Sequence, residues 1–541
     1  MNDTHEVSNQ APPLEDYDAY ASDAWLRAAI TRARVGWIEP AAAALGRFVA
    51  SAEAQRHAAA ANRFTPELKT HDRTGHRIDA VDYHPSYHVL MTRAIEAGLH
   101  SLAWKRDAGG FSARAALVYL WNQLEQGTSC PVTMTFASIP IFEHAPALAR
   151  EWRDKVLADR YDPRPLALAA KHGVTIGMAM TEKQGGSDLR AVQTLATPDG
   201  ERHRLTGHKW FCSAPMSDGF FTLARLAGGV TCFFVPRSLP DGTRNTFRIQ
   251  RLKDKLGNRS NASAEIEYQD TVASLVGEPG RGIPTLIEMA HHTRFDIVVA
   301  IAGMMRAALD HALHHARHRS AFGKCLVEQP LMERVLADLA LEAEAATLLA
   351  FRLAQAFDKG GGDARERDLQ RVLTPIAKYW LCKRMTPVAV EAIECLGGNG
   401  YVEESPLARL YREAPLNGIW EGSANVICLD ALRAITKSAG AFGALADEIA
   451  AAPDPRTRKL FDWAAARLAD AATAERHARA IVEALAVCIQ AALMRRHADE
   501  AAAEAFCASR VEDWSRSGAF GAVASGADAR KILERVPPPE G

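Results

Sequence analysis

One glutamate has the surroundings that carbon-acid chemistry asks for. Glu421 lies in Ile419-Trp420-Glu421-Gly422-Ser423-Ala424-Asn425, with apolar residues before it and a glycine after it. A carboxylate buried beside a flat ring can abstract an acidic C–H proton, and burial tunes its pKa. The same pattern also fits a glutamate that starts a helix beside an N-cap serine. A second stretch, Met180-Thr181-Glu182-Lys183-Gln184-Gly185-Gly186-Ser187-Asp188, follows the small and apolar run from Val174 through Met178 to Ala179. Its glycines let the backbone approach a ligand, and Thr181 and Ser187 offer hydroxyls, so the segment could hold a phosphorylated cofactor. A tight polar turn is the plainer alternative.

Three further segments carry candidate contacts. Lys209-Trp210-Phe211-Cys212-Ser213 closes a candidate strand. An indole there can cover one edge of a flat ring, or simply pack in a β core. Arg319-Ser320-Ala321-Phe322-Gly323-Lys324, followed by Glu328-Gln329-Pro330, ends one helix and opens the next. Arg319 could meet a pyrophosphate bidentately, or sit on an ordinary interhelical turn. Leu396-Gly397-Gly398-Asn399-Gly400-Tyr401 looks like a dinucleotide fingerprint but follows a helical run rather than a strand, so a Rossmann reading fails. His311, His314, His315 and His318 share a helix face. With no HExxH carboxylate, and with Arg317 and Arg319 nearby, that face reads as solvated or interfacial, and no metal site is expected.

The elements that must position these residues come in blocks. An irregular arm with Pro12-Pro13 leads into a helix from Trp25-Leu26 to Ala33, and a mostly helical region runs to about 173, with Leu90, Met91, Ala94 and Ile95 on one face. Pro140 and Pro146 mark helix ends. Residues 175–281 turn to strands: His203 to Phe211, a hairpin of Phe221–Leu226 and Val230–Val235 about Ala227-Gly228-Gly229, and a half-buried strand at Glu265-Ile266-Glu267-Tyr268. Helical periodicity returns over 282–440. An Ala-rich helical extension fills 441–541, with a stripe at Ile481, Leu485, Cys488, Ile489 and Leu493, and Pro537 to Gly541 reads as a frayed end. The domains expected are therefore 1–174, 175–281, 282–440 and 441–541.

Bulk properties exclude some classes. The chain has 541 residues, 48% hydrophobic and 24% charged, with a formal net charge of -1. Overall charge does not call for a nucleic-acid partner. Nine cysteines without a CxxC pair fit reduced thiols rather than a disulfide framework. No basic leader and no apolar run near the about 20 residues that cross a bilayer are seen, so a cytoplasmic protein without a membrane partner is expected.

Taken in order and spacing, TEKQGGSD, KWFCS, RSAFGK…EQP, LGGNGY and LYRE…IWEGS resemble the acyl-CoA dehydrogenase flavoprotein family over about residues 60–436. The opening arm, the run Arg251 to Ser263 and the C-terminal extension are similar to its AidB-type, alkylation-response branch. The resemblance implies a mostly α fold with a central β domain: helical domain, barrel-like sheet, four-helix bundle and added C-terminal helices. It implies FAD, contacted by Met178, Met180, Thr181, Gly186, Ser187, Trp210, Cys212, Ser213, Ile419, Trp420, Ser423 and Asn425. Arg319, Phe322, Gln329, Gly397 and Gly398 match positions where a neighbouring subunit meets the cofactor, in a homotetramer. Glu421 matches the catalytic base and Arg294 an arginine on the substrate side. Lys183-Gln184 replace a common Pro-Gly, and Trp420 replaces a common Tyr, which narrows the place where a long acyl chain would pass.

Two functions follow from the resemblance. One is an FAD protein that binds double-stranded DNA in the alkylation response through its extension, with weak or unidentified dehydrogenase activity. The alternative is a metabolic short- or branched-chain acyl-CoA dehydrogenase without a DNA role. Residues 441–541 hold 13 Lys+Arg against 15 Asp+Glu, so the extension is not basic overall. Eleven of the 13 are Arg, and Arg476, Arg479, Arg495 and Arg496 are the candidate phosphate contacts.

Overall fold

A computed structural model describes residues 4–470, 472–512, 514 and 528–536. The frayed end expected at 537–541 lies outside them, as do Met1, Asn2 and Asp3. Helices α1 (Ala24–Ala33), α2 (Glu39–Val49) and α3 (Ala52–Arg63) come first. Strands β1 (Glu67–His71) and β2 (Arg77–Asp82) then form an antiparallel hairpin. The mostly helical expectation missed it, although its turn is written in the sequence: Asp72 accepts from the backbone of Thr74 and His76. Helices α4 (Pro85–Glu96), α5 (Gly110–Leu124), α6 (Ser129–Ala137), α7 (Ile139–Phe142) and α8 (Pro146–Val156) follow. Pro140 and Pro146 sit in the first turns of α7 and α8, where a missing N–H costs no bond.

The central strands are β3 (Ile176–Ala179), β4 (Leu195–Asp199), β5 (Arg202–Ser213), β6 (Gly219–Leu226), β7 (Gly229–Pro236), β8 (Phe247–Leu252) and β9 (Ser263–Val276). Their order is β3-β6-β4-β5-β9-β7, and an added β6–β7 pairing closes the path into a ring. The β6–β7 hairpin turns on Gly228 and Gly229 at φ 101° and 124°, values that suit glycine. Leu205, Phe220, Phe233, Phe247, Ile266 and Tyr268 fill the interior. Closure leaves little free edge and fixes both ends of β5, where Trp210 sits.

The remaining elements are α9 (Gly282–His318), the two-residue strands β10 (Ser320–Ala321) and β11 (Lys324–Cys325), α10 (Pro330–Lys359), α11 (Ala364–Leu396), α12 (Gly398–Tyr401), α13 (Pro406–Glu413), α14 (Ala424–Lys437), α15 (Ala439–Ala450), α16 (Pro455–Ala469), α17 (Ala478–His497), α18 (Glu500–Phe506) and α19 (Ala529–Glu534). By length and composition α9 would cross a bilayer, contrary to the expectation that no stretch comes close. Its most apolar window is 89% buried, as in a core helix.

Compact units do not follow the chain linearly. One holds 56–110 and 125–296, with the β ring; the other holds 1–55, 111–124 and 297–541. In the helical unit α10 packs on α11 and α17, and α11 on α14 and α15. Helix α17 carries more than the single stripe expected. Ile481, Val482 and Ala484 through Met494 are all buried, the pattern of a helix enclosed on every side. The extension is thus part of a core. Arginines bind it there: Arg510 pairs with Asp338 and Glu342 and Arg535 with Glu344, all on α10, while Arg496 pairs with Glu448 within the extension.

Candidate active site

The candidate residues divide between the two units. In the β unit, Thr181 and Trp210 belong to different motifs and are tied directly, since the Trp210 N–H donates to the Thr181 carbonyl at 2.8 Å. Gly185 has φ 154°, and a Cβ on Gly186 would stand 2.6 Å from Thr181 Oγ1, so both glycines are required where they stand. Ser187 is exposed, Met180 and Thr181 half-buried, and Met178 buried in β3. Cys212 is fully buried in the ring's interior, and burial pushes its thiol up. Only its backbone can meet a ligand outside. Ser213 Oγ lies 3.3 Å from Ser263 Oγ. Arg294 is buried within α9.

Two groups that the motifs contain but sequence reading passed over hold this half together. Glu182 and Lys209 form a fully buried ion pair at 2.7 Å. The Glu182 carboxylate also accepts from Thr194 Oγ1 at 2.6 Å, Gln193 N at 2.7 Å and Gln184 Nε2 at 2.6 Å. Burial would raise its pKa, but the Lys209 ammonium and these donors hold it down at about 2. The available signal was register alone: Lys209 falls in alternation with the inward Leu205 of a largely polar strand. Outside, Lys253 Nζ stands 3.3 Å from the centre of the Trp210 ring, with Arg251 and Lys183 each at 5.7 Å.

In the helical unit, Glu421 lies two residues ahead of the Ser423 N-cap of α14, outside the helix. Its φ is 57°, the left-handed region that a glutamate rarely adopts, and Gly422 follows at 108°. Lys378, buried in α11, donates to the Gly422 carbonyl at 2.7 Å and pins the turn. Trp420 Nε1 donates to Asn417 Oδ1 at 3.1 Å, which fixes the indole beside Glu421, while Ile419 is exposed. Ser423 makes no side-chain cap bond, so its hydroxyl and the first amides of α14 remain for a ligand. Asn425, exposed, accepts from Arg479 Nε at 2.7 Å.

At the other candidate contact, Phe322 occupies the β10–β11 turn at φ 53° and is 99% exposed. Gln329 Nε2 donates to the Ala321 carbonyl, and Arg319 donates to the Asn9 carbonyl in the arm. Gly397, at φ 61° with open space around it, joins α11 to α12, which starts at Gly398. His315 is buried and His311 half-buried, and desolvation pulls His311 down to about 4. His314 bonds the Pro12 carbonyl. Among the described residues no group of three His, Cys, Asp or Glu could hold a metal. The four candidate phosphate-binding arginines do not share one fate. Arg495 pairs with Asp454 at 2.9 Å and Glu504 at 2.5 Å, and Arg496 with Glu448 at 2.6 Å. Arg476 and Arg479 are exposed.

Residues 177–271 match the acyl-CoA dehydrogenase middle domain and 280–436 its C-terminal domain, while 9–163 match the adaptive response protein AidB N-terminal domain. The chain is 45% identical to AidB of Escherichia coli (strain K12), over 93% of this chain and 94% of that one. The chain belongs to the acyl-CoA dehydrogenase family. Within that family it is of the AidB type. Caenorhabditis elegans ACDH-11, solved in complex with C11-CoA, shares the fold at a TM-score of 0.84 and 24% identity, covering 99% of this chain and 97% of that one. A Bacillus anthracis acyl-CoA dehydrogenase complexed with FAD shares it at 0.64 and 18%, covering 84% and 86%.

Proposed function

We propose that the protein is an FAD-dependent oxidoreductase in which Glu421 removes the α-proton of a short or branched acyl-CoA thioester. One observation carries the reading: Glu421 is held on a left-handed turn, pinned by Lys378, directly ahead of the N-terminus of α14. In the β unit, Thr181, Ser187, Trp210 and the Cys212 and Ser213 backbone match the family's FAD contacts, and in the helical unit Ser423 and Asn425 do. FAD, when bound, supplies the two-electron acceptor for the β-hydride. The Glu421 carboxylate takes the α-proton as general base. Trp420, fixed by Asn417, limits the length of acyl chain. Anaerobic mixing of flavin-loaded protein with short acyl-CoAs should bleach the flavin; persistence of the yellow colour with every short and branched acyl-CoA would refute the reading. A cytoplasmic homotetramer, with Arg319, Phe322, Gln329, Gly397 and Gly398 facing a neighbour's cofactor, is the assembly proposed.

A second role, binding of double-stranded DNA in the alkylation response, is supported by the likeness to AidB. Arg476 and Arg479 are the arginines of the four whose charge is not offset by a carboxylate pair, so they are the phosphate contacts of this proposal. Removing residues 441–541 is not a clean test, because α17 is core. Charge reversal at Arg476 should weaken duplex binding and flatten its salt dependence; an unchanged slope would remove Arg476 from the interface.

A further inference from the structure

The hairpin that carries Arg319 and Phe322 is too short and too strained to hold itself. Its strands β10 and β11 have two residues each, and the turn residues Phe322 and Gly323 have φ 53° and 79°. Positive φ at both places is the type I′ turn, which favours asparagine or glycine at the first place rather than phenylalanine. Phe322 is 99% exposed, so no burial among the described residues offsets that conformation. A lone pair of strands is marginal in water even when longer than this.

The support comes from the N-terminal arm, about 310 residues earlier in the chain and in the same compact unit. Asn9 Nδ2 donates to the Ser320 carbonyl at 2.8 Å, and the Ser320 N–H donates to Asn9 Oδ1 at 2.7 Å. One side-chain amide thus meets both outward backbone groups of β10, as a neighbouring strand does. Asn9 itself sits at φ 54°, which asparagine tolerates, and its carbonyl accepts from Arg319 Nη1. His314 Nε2, donating to the Pro12 carbonyl at 2.8 Å, ties the arm down a second time. Residues 4–10 are all exposed, so polar bonds rather than burial hold this part of the arm. We propose that the arm is a strap and Asn9 a positioning residue: it sets the β10–β11 turn and one N–H of the Arg319 guanidinium, leaving the other donors for the pyrophosphate of FAD. The inference rests on the proposed placement of Arg319 and Phe322 at a neighbour's cofactor. Its effect is therefore selective for the adenylate-bearing half of FAD over the flavin ring.

The test reconstitutes deflavinated full-length protein with FAD and, separately, with FMN, which lacks the adenylate half, and reads each affinity from flavin fluorescence. Asn9→Gly keeps the φ and the carbonyl and removes only the amide. It should weaken FAD about tenfold and leave FMN unchanged. Deleting residues 4–10 takes away exposed positions alone and should weaken FAD at least as much, with the melting temperature close to wild type. Arg319→Ala serves as the control for the placement on which the strap depends. Wild-type FAD affinity in either arm variant, with Arg319→Ala weakened, overturns the strap and spares the placement. Wild-type affinity in all three variants overturns both. Equal weakening of FAD and FMN by Asn9→Gly also overturns the strap, because the arm then acts on the fold as a whole.

Discussion

Each unit carries a glutamate in one of its candidate motifs, and the two are treated in opposite ways. Glu182 is sealed in the β unit, with Lys209, Thr194, Gln193 and Gln184 donating to it. Glu421 sits half-buried on a turn whose backbone is in a disfavoured region, fixed from outside by a lysine on the next residue's carbonyl. A carboxylate surrounded by donors and held at about 2 does not take up a proton near neutral pH. It is an anchor for the Thr181 and Trp210 segments. A base needs access and a fixed aim, and at Glu421 the aim is maintained against local preference.

The contrast breaks most visibly in kinetics. Glu421→Gln should slow flavin reduction by an acyl-CoA on the order of 10²–10⁴-fold, read by anaerobic stopped flow, with flavin content and melting temperature close to wild type. Glu182→Gln should do the reverse: it strands a buried ammonium and costs about 3–5 kcal/mol of stability in chemical denaturation. Its pH dependence has a definite sign. The folded carboxyl sits at about 2 against an ordinary 4.5, so its contribution is complete above about 4.5 and fades as pH falls through about 2. The acid limb of stability should therefore be flatter in Glu182→Gln than in wild type.

Sharper still is a substitution that separates stability from function at one position. Glu421→Gly should raise stability by about 1 kcal/mol, because glycine accepts φ 57° without the crowding that Cβ causes, and should abolish turnover. A drop in stability would mean that the turn is not held against preference. The smallest effect is expected in the extension. Arg495→Ala should cost about 1 kcal/mol through its partly exposed pairs with Asp454 and Glu504, without altering duplex affinity.

Much of this is legible in the sequence. Hydrophobic alternation and the Ala227-Gly228-Gly229 turn gave the β6–β7 hairpin, and the buried positions Leu90, Met91, Ala94 and Ile95 form the inner face of α4 as spacing implied. The motif order carried the family. What escaped was long-range pairing. Neither Lys209 with Glu182 nor Lys378 with the Gly422 carbonyl is close in the chain; charge within an apolar run marked Lys378, and only strand register marked Lys209. The extension misled for a related reason. Its arginines resemble phosphate contacts in sequence, but Arg495 and Arg496 meet carboxylates supplied by other helices. Local propensity could not report that α17 is enclosed on all sides.

The central claim is that Glu421 is the group that takes the α-proton, and proton exchange tests it without relying on hydride transfer. Butyryl-CoA would be incubated anaerobically in D₂O with flavin-loaded wild-type protein and with flavin-loaded Glu421→Gln, and deuterium at the α-carbon followed by mass spectrometry. Wild type should incorporate deuterium and Glu421→Gln should not. Equal incorporation by both proteins would contradict the account.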